Sequence, residues 1–577
     1  MAEHSNSSYS SNNHHKRSCC LFPDDVKGEV KKLSALALPV LLSYIMVYLI
    51  SFVSTVFCGH LGSTELDGVA LAIAVINVSS VAVGYGLASA CDTLISQTFG
   101  SGNLQRVGVI VQRGVIILLL ACFPCWAILI NTESILLLVK QDPEVAKLSQ
   151  MYVKIFMPAL PALFIFIIES TYLQNQGIIW PLVITGAIAN VLNALSNYIF
   201  LFFLDLGVTG SAAANTVSQY LMAIVLFIYI RCRGLHKDTW HGWSIECLQE
   251  WDTFFHLAIP GMLMLCAEWW TYELGAFLAG LISPTELGAQ SIIYELANVA
   301  YMFPIGFSVA GCVRVGNAMG AGDTAQAKLS AKLAMACAVS VAVCLAIVVG
   351  FTKDVISYIF SNDEQIRARV ATVMVLYAPF HLLDATAAAA GSIVRGLGKQ
   401  KLGAVGNMFG YYAVGFPIGV SLMFVAKMGI FGRKPLSAIL LSTFLLVAHA
   451  HFTLLILLLF STTGLWTGLL ICVFFQSVFF IILLANLNWA KATEEAQIRA
   501  GVHTNEKDNN AVEQDESVET DEESAYTDTQ ALLQKTSVCT VGKPLSLGAL
   551  VLRRGLTLAA MLIILAGGLV INVILNR

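Results

Sequence analysis

Four carboxylates sit where carboxylates are expensive. Glu268 and Glu273 lie in LCAEWWTYELGAF, Glu295 in IIYELANVAYMF and Asp384 in PFHLLDATAAAA, each within a run apolar enough to enter a bilayer. An ionised side chain at the centre of a membrane helix costs about 2.5–3.5 kcal/mol on insertion scales, so each must face protein or water and is a candidate for proton or ion chemistry. Burial disfavours the ionised form and an approaching cation favours it, so one such group holds either a proton or a positively charged guest. That exclusivity is what coupled exchange requires. Glu268 and Glu273 stand roughly 140° apart around a helix, so an undistorted helix aims only one of them at a given spot. The bland alternative, pairing with Arg or backbone, is disfavoured because no basic residue lies inside the neighbouring apolar runs.

Aromatic residues surround these acids: Trp269, Trp270 and Tyr272 near the first two, Tyr294 beside Glu295, and Tyr301 further along. Their ring faces attract cations by about 0.5–2 kcal/mol without demanding one hydrogen-bond pattern, which predicts broad cation specificity. Taken alone, Trp and Tyr more often mark the membrane interface, and only their closeness to the acids favours a site. His381, three residues before Asp384, shares its helix face and is placed for titration or pairing, or for simple packing. Asn77, Asp92, Asn193 and Asn197 in the first half line the same cavity or, more commonly for such residues, tie helices together.

The elements that must position these residues are membrane helices. Over 577 residues the chain is 57% hydrophobic and 12% charged, with mean hydropathy +0.74, outside the range of soluble domains. Apolar runs without β alternation must be helices where no water can satisfy the backbone. About fourteen candidates recur. Spans are expected at 34–58, 67–94, 107–130, 149–173, 178–201 and 209–232, then 254–281, 287–314, 328–351, 369–393, 402–426 and 465–488, with a last one at 550–575. Sliding the sequence on itself by about 220 residues shows a duplication. Ala37-Leu38-Pro39 meets Ala258-Ile259-Pro260, Gly59 and Thr64-Glu65-Leu66 meet Gly280 and Thr285-Glu286-Leu287, and after a one-residue slip Gly86 meets Gly306. Gly100-Ser101-Gly102-Asn103 meets Gly320-Ala321-Gly322-Asp323, and Glu144, Pro158 and Gly177 answer Glu364, Pro379 and Gly398. Copies with an even number of spans enter from one side, which makes them parallel repeats related by an axis along the membrane normal and suited to alternating access.

The expected organisation is an N-terminal segment 1–32, a six-helix lobe 33–235, a linker 236–253, a second six-helix lobe 254–490 interrupted at 433–464, an acidic disordered linker 491–548 and a C-terminal membrane helix 549–577. Basic residues cluster in alternate connections (Lys31, Lys32; Arg106, Arg113; Arg231, Arg233, Lys237; Arg395, Lys399, Lys401), which places those connections and the N-terminus in the cytoplasm. Asn6 would then leave its glycosylation sequon unused. The cysteines show no metal or disulfide spacing; Cys122 and Cys125 lie in an apolar run and read as packing, while Cys19 and Cys20 are candidates for acylation. No nucleophile triad, phosphate loop or metal cluster suggests an enzyme or a nucleic-acid surface.

Several motifs together resemble the multidrug and toxin extrusion (MATE) family of the mammalian type: GHLGSTELDGVALAIAVINVSS, GLASACDTLISQTFGSGN, TYLQNQG, AEWWTYELG, GAQSIIYELA, RVGNAMGAGDTAQA and GSIVRGLGKQ. The resemblance covers about 33–432 and 465 to the end. It implies a two-lobed fold of the MOP type and a plasma-membrane exporter, apical in kidney or liver epithelium, that exchanges protons for small organic cations. No cofactor beyond the proton gradient is implied, and an oligomer is possible. The family's acids carry over onto Glu268, Glu273, Glu295 and Asp384, the last a shorter Asp where Glu is usual. One departure is RKPLSAILLSTFLLVAHAHFTLLILLLFSTTG between Gly432 and Leu465, where the family reads directly from GIFG to LWTGLL. It resembles a splicing insertion. Its core, Leu436 to Phe460, is apolar enough to span, which would make fourteen spans and put everything downstream on the other side; alternatively it lies in the interface or folds back, and the reading taken here is an extra hydrophobic helix packed outside the repeat. Two rival readings follow: a splice isoform disrupted by the insertion, and a lipid-linked oligosaccharide flippase, which needs a cationic rather than an acidic groove.

Overall fold

The computed structural model describes residues 24–280, 283–360, 363–424, 462–502, 541 and 544–575. The apolar runs form helices throughout, and no strand occurs among the described residues. The first lobe comprises α1 (Asp24–Gly59), α2 (Ser63–Ile76), α3 (Ala82–Gly100), α4 (Leu104–Leu129), α5 (Thr132–Leu138), α6 (Pro143–Phe156), α7 (Leu160–Asn175), α8 (Trp180–Tyr198) and α9 (Gly207–Cys232). The second comprises α10 (Trp251–Gly280), α11 (Pro284–Gly320), α12 (Thr324–Thr352), α13 (Glu364–Gly396), α14 (Gln400–Met408), α15 (Phe416–Phe424) and α16 (Thr462–Ala485). Two further helices follow, α17 (Trp489–Ala500) and α18 (Leu547–Leu575). Eleven helices among the described residues are long and apolar enough to cross a membrane; α10, at 30 residues, has the length.

The repeat explains local irregularities. Twenty residues separate Leu66 from Gly86, but nineteen separate Leu287 from Gly306. The first lobe winds its extra residue into a π turn, Asn77–Val81, between α2 and α3, whereas α11 runs on as α-helix. Between Glu144 and Pro158 the first lobe is instead one residue short of Glu364 to Pro379, and there it tightens into a 3₁₀ turn, Met157–Ala159, while α13 is continuous. Asp142 and Asp363 cap α6 and α13 in the same way, each accepting two backbone N–H bonds.

The lobes are sealed at one end. Gly100 lies so close to Asn317 that a Cβ would fall 2.0 Å from its carbonyl oxygen, and its counterpart Gly320 stands likewise 1.8 Å from that of Gln97. These two contacts exchange under the repeat, as a two-fold axis between the lobes demands. Thr93 Oγ1 donates to the Arg395 carbonyl at 2.6 Å, Gln97 Nε2 to that of Gly396 at 2.8 Å, and Arg314 of α11 pairs with Glu29 of α1 at 2.6 Å. The linker after α9 joins this end, where Glu250 takes Arg106 at 2.8 Å and Arg113 at 3.2 Å, and Gln112 Nε2 donates to Gly242 O at 2.7 Å. The basic connections therefore gather on one face.

Two sequence expectations need correction. Residues 491–500 are not linker: α17 is capped by the Asn488 side chain and closed by Gly501 at φ 81°, and it buries Ala492, Thr493, Ala496 and Ala500. The rest of the acidic stretch, 503–540, lies outside the described residues, as do Asn6, Cys19, Cys20 and 425–461, which hold nearly all of the insertion. The fourteen-span reading also fails at the flanks. Beyond the gap, Trp466 donates to Gln290 at 2.9 Å and Leu465 packs on Gly275, near the unsealed ends of α11 and α10. Before it, Gly419 of α15 packs against Gly468. The chain thus leaves and re-enters at the same end, and α16 serves as the sixth helix of its lobe.

Candidate functional site

The acids fall into two pairs. Asp384 of α13 lies within electrostatic reach of Glu268 of α10, and Glu273, further along α10, within reach of Glu295 of α11. Despite the roughly 140° offset along α10, both acids find partners: Glu268 in Asp384 of α13, Glu273 in Glu295 of α11. Tyr301 Oη donates to Glu268 Oε1 at 3.4 Å, and Tyr48 of α1, in the opposite lobe, donates to Glu295 Oε2. Glu273 and Asp384 form no hydrogen bond, and none of the four an ion pair, with another described residue.

Aromatic rings join the pairs. Tyr272, beside Glu268 and Asp384, packs on Tyr294, beside Glu273 and Glu295, with centroids 5.9 Å apart. Trp269 meets Tyr85 of α3 across the lobes at 6.4 Å, and Trp270 Nε1 donates to Val78 O at 3.0 Å. That carbonyl belongs to the π turn that starts at Asn77, so the extra residue of the first lobe sits against the site helix of the second. Asn77 is half-buried there.

Not every expected residue joins the acids. His381 is buried and bonds Tyr377 Oη through Nδ1 at 3.3 Å rather than pairing with Asp384. Trp466 packs against the rings of Tyr377 and Phe380, walling off that face. Asn193 and Asn197 tie helices: with Ser54, Asn215 and Ser218 they form a buried network linking α1, α8 and α9. Asp92 accepts from Asn175 Nδ2 at 3.1 Å. Nor is the neighbourhood free of basic residues, since the field of Arg395, from the sealed end of α13, reaches both Glu268 and Asp92.

Sequence reasoning missed Tyr48, Tyr411, Arg395 and Glu169. Tyr411, in the π turn Phe409–Gly415, is buried beside the Glu268 and Asp384 pair. Glu169 is a further carboxylate of α7, with a buried Oε2 that has no partner among the described residues. The repeat was the available signal for Tyr48, because the offset that matches Pro39 with Pro260 places Tyr48 opposite Trp269. The same offset sets Val47, Phe52, Ala74 and Leu163 opposite Glu268, Glu273, Glu295 and Asp384, so the four site acids belong to one lobe alone.

A model of the MatE family matches residues 39–199 and again 260–421, one copy per lobe. The chain belongs to the MATE family. It is 57% identical to multidrug and toxin extrusion protein 1 of Danio rerio, over 96% of this chain and 92% of that one. It is 47% identical to the protein of the same name from Homo sapiens, over 96% and 95%. Among solved structures, that of the eukaryotic MATE transporter AtDTX14 superposes with a TM-score of 0.74 at 27% identity, over 83% of this chain and 100% of that one. The MATE chain described here is therefore a multi-pass membrane protein of a transporter family.

Proposed function

We propose that this chain exports organic cations and cationic drugs across the plasma membrane in exchange for protons. The names of the relatives, multidrug and toxin extrusion proteins, support the cargo. The observation that carries the mechanism is the arrangement of four carboxylates in two aromatic-bridged pairs, without an ion-pair partner among the described residues. A proton on one carboxylate removes that group's charge and so weakens the attraction for a cation, and a bound cation holds the carboxylate ionised. The rings of Trp269, Tyr272 and Tyr294 supply cation-attracting faces without fixed hydrogen-bond geometry, which suits varied guests. With the basic connections inside, the sealed end faces the cytoplasm and the site is poised to exchange with the exterior.

The test replaces Glu273 by Gln and follows tetraethylammonium efflux from vesicles under an imposed pH gradient. Transport should fall at least tenfold with the protein still present in the membrane. Efflux at the unaltered rate would remove the mechanism.

A further inference from the structure

Helix α17 continues from the second lobe, yet it also grips the first. On the first-lobe side, Asn103 Nδ2 donates to the Ala500 carbonyl at 3.1 Å, and Arg499 Nε donates to Gln97 Oε1 at 3.1 Å. On the second-lobe side, Arg499 Nη2 donates to Leu397 O at 3.1 Å, Lys399 Nζ to Glu495 Oε2 at 2.6 Å, and the hydroxyls of Thr324 and Thr493 meet at 2.8 Å. Arg499 thus bridges the seam whose backbone contacts seal the lobes, and Gln97, its first-lobe partner, is fully buried.

The second lobe is shaped to receive this helix. Gly398, at φ 74°, leaves space for the guanidinium, since a Cβ there would fall 2.7 Å from Arg499 Nη2. Gly322, at φ 80°, does the same for Gln497, whose Nε2 lies 2.5 Å from the Cβ position. Their repeat counterparts have no such tenant: nothing lies within 4 Å of the Cβ position at Gly102, and only Leu36, at 3.6 Å, at Gly177. The two turns are common to both copies, but the seat is used in one.

We propose that α17 is a latch on the sealed end, with Arg499 as the positioning residue that holds Gln97 of one lobe to Leu397 of the other. The lobes part at this end only when that bridge releases. The inference rests on the alternating-access reading above, but its test needs neither substrate nor gradient.

Ser96 is fully buried in the seam, against Gly316. A Ser96→Cys variant, in membranes that expose the sealed end, is treated with a membrane-impermeant maleimide, and labelling of the chain with Ser96 intact is subtracted. Labelling should be slow, and about tenfold faster when Arg499→Ala is added, as loss of buried bonds to a charged group implies. Arg499→Lys, which keeps the charge but not the fork, should fall between. Equal rates in all three chains would overturn the latch. Should the Arg499→Ala chain not accumulate, Asn103→Ala removes one bond of the same grip and must also speed labelling; an unchanged rate there and in Arg499→Lys has the same adverse meaning. Failure of the Glu273→Gln experiment would leave this readout untouched.

Discussion

At the scale of single residues, the site depends on which tyrosines donate to Glu268 and Glu295. Tyr48 reaches Glu295 from the other lobe, so it ties the charge of a carboxylate to the relative position of the lobes. Removing a buried hydrogen bond to a charged group costs about 1.5–3 kcal/mol, so Tyr48→Phe should weaken apparent cation affinity roughly tenfold at unchanged protein level, read from uptake against substrate concentration. Glu495 makes a milder case. The hydrogen bond from Lys399 holds its carboxyl below the usual carboxylate range, so the stabilisation is complete above that range and is lost as pH falls through the lowered value. Its side chain is a third exposed, so Glu495→Gln should cost under about 1 kcal/mol, and a thermal melt at neutral pH should shift little. The four acids were legible because a carboxylate in an apolar run is rare; Glu169, in LFIFIIESTYL, carried the same signal and was passed over. Tyr48, Arg395 and Tyr411 were not, because Tyr is common in such helices and Arg395 reads as part of a basic connection.

At the scale of elements, glycines in the seam do what no other residue can. The atoms a Cβ would strike at Gly100 and Gly320 are backbone carbonyls, which cannot turn aside as a flexible side chain does. Gly100→Ala and Gly320→Ala should therefore act alike, each prising the sealed end apart, raising maleimide labelling at Ser96→Cys and slowing transport severalfold. Unequal effects would mean that the two contacts are not equivalent. The duplication could be read from such glycines and prolines, and even the one-residue slips were visible as numbers. What the numbers could not say is that one becomes a π turn facing Trp270 and the other a 3₁₀ turn. Helix α17 was misread because Lys491, Glu494, Glu495 and Arg499 look like a solvated run. Its small buried stripe at 492, 493, 496 and 500 has helical spacing but little apolar area, so hydropathy passes over it.

At the scale of the whole molecule, the stretch between α15 and α16 begins and ends at one end of the bundle. A chain lacking Arg433–Ser461 should keep α17 and α18 on the same sides as the full chain, with matching protease protection of C-terminal tags, and should transport cations at a comparable rate. A reversed tag would contradict the antiparallel packing of Gly419 on Gly468. The same geometry bears on the concern that the insertion disables the transporter, because its neighbours already close the second lobe without it. The apolar counterparts of the four acids have a wider consequence. Two halves alike in backbone are unlike at these four positions, so under the proposed exchange both passengers, the hydrogen ion and the organic cation, meet their carboxylates in one half, while the other contributes Tyr48 and works as a shutter. Mutational damage to coupling should therefore concentrate in the gene segment for the second half, Tyr48 apart, and the shutter half has more freedom to vary in shape, and with it the range of guests admitted.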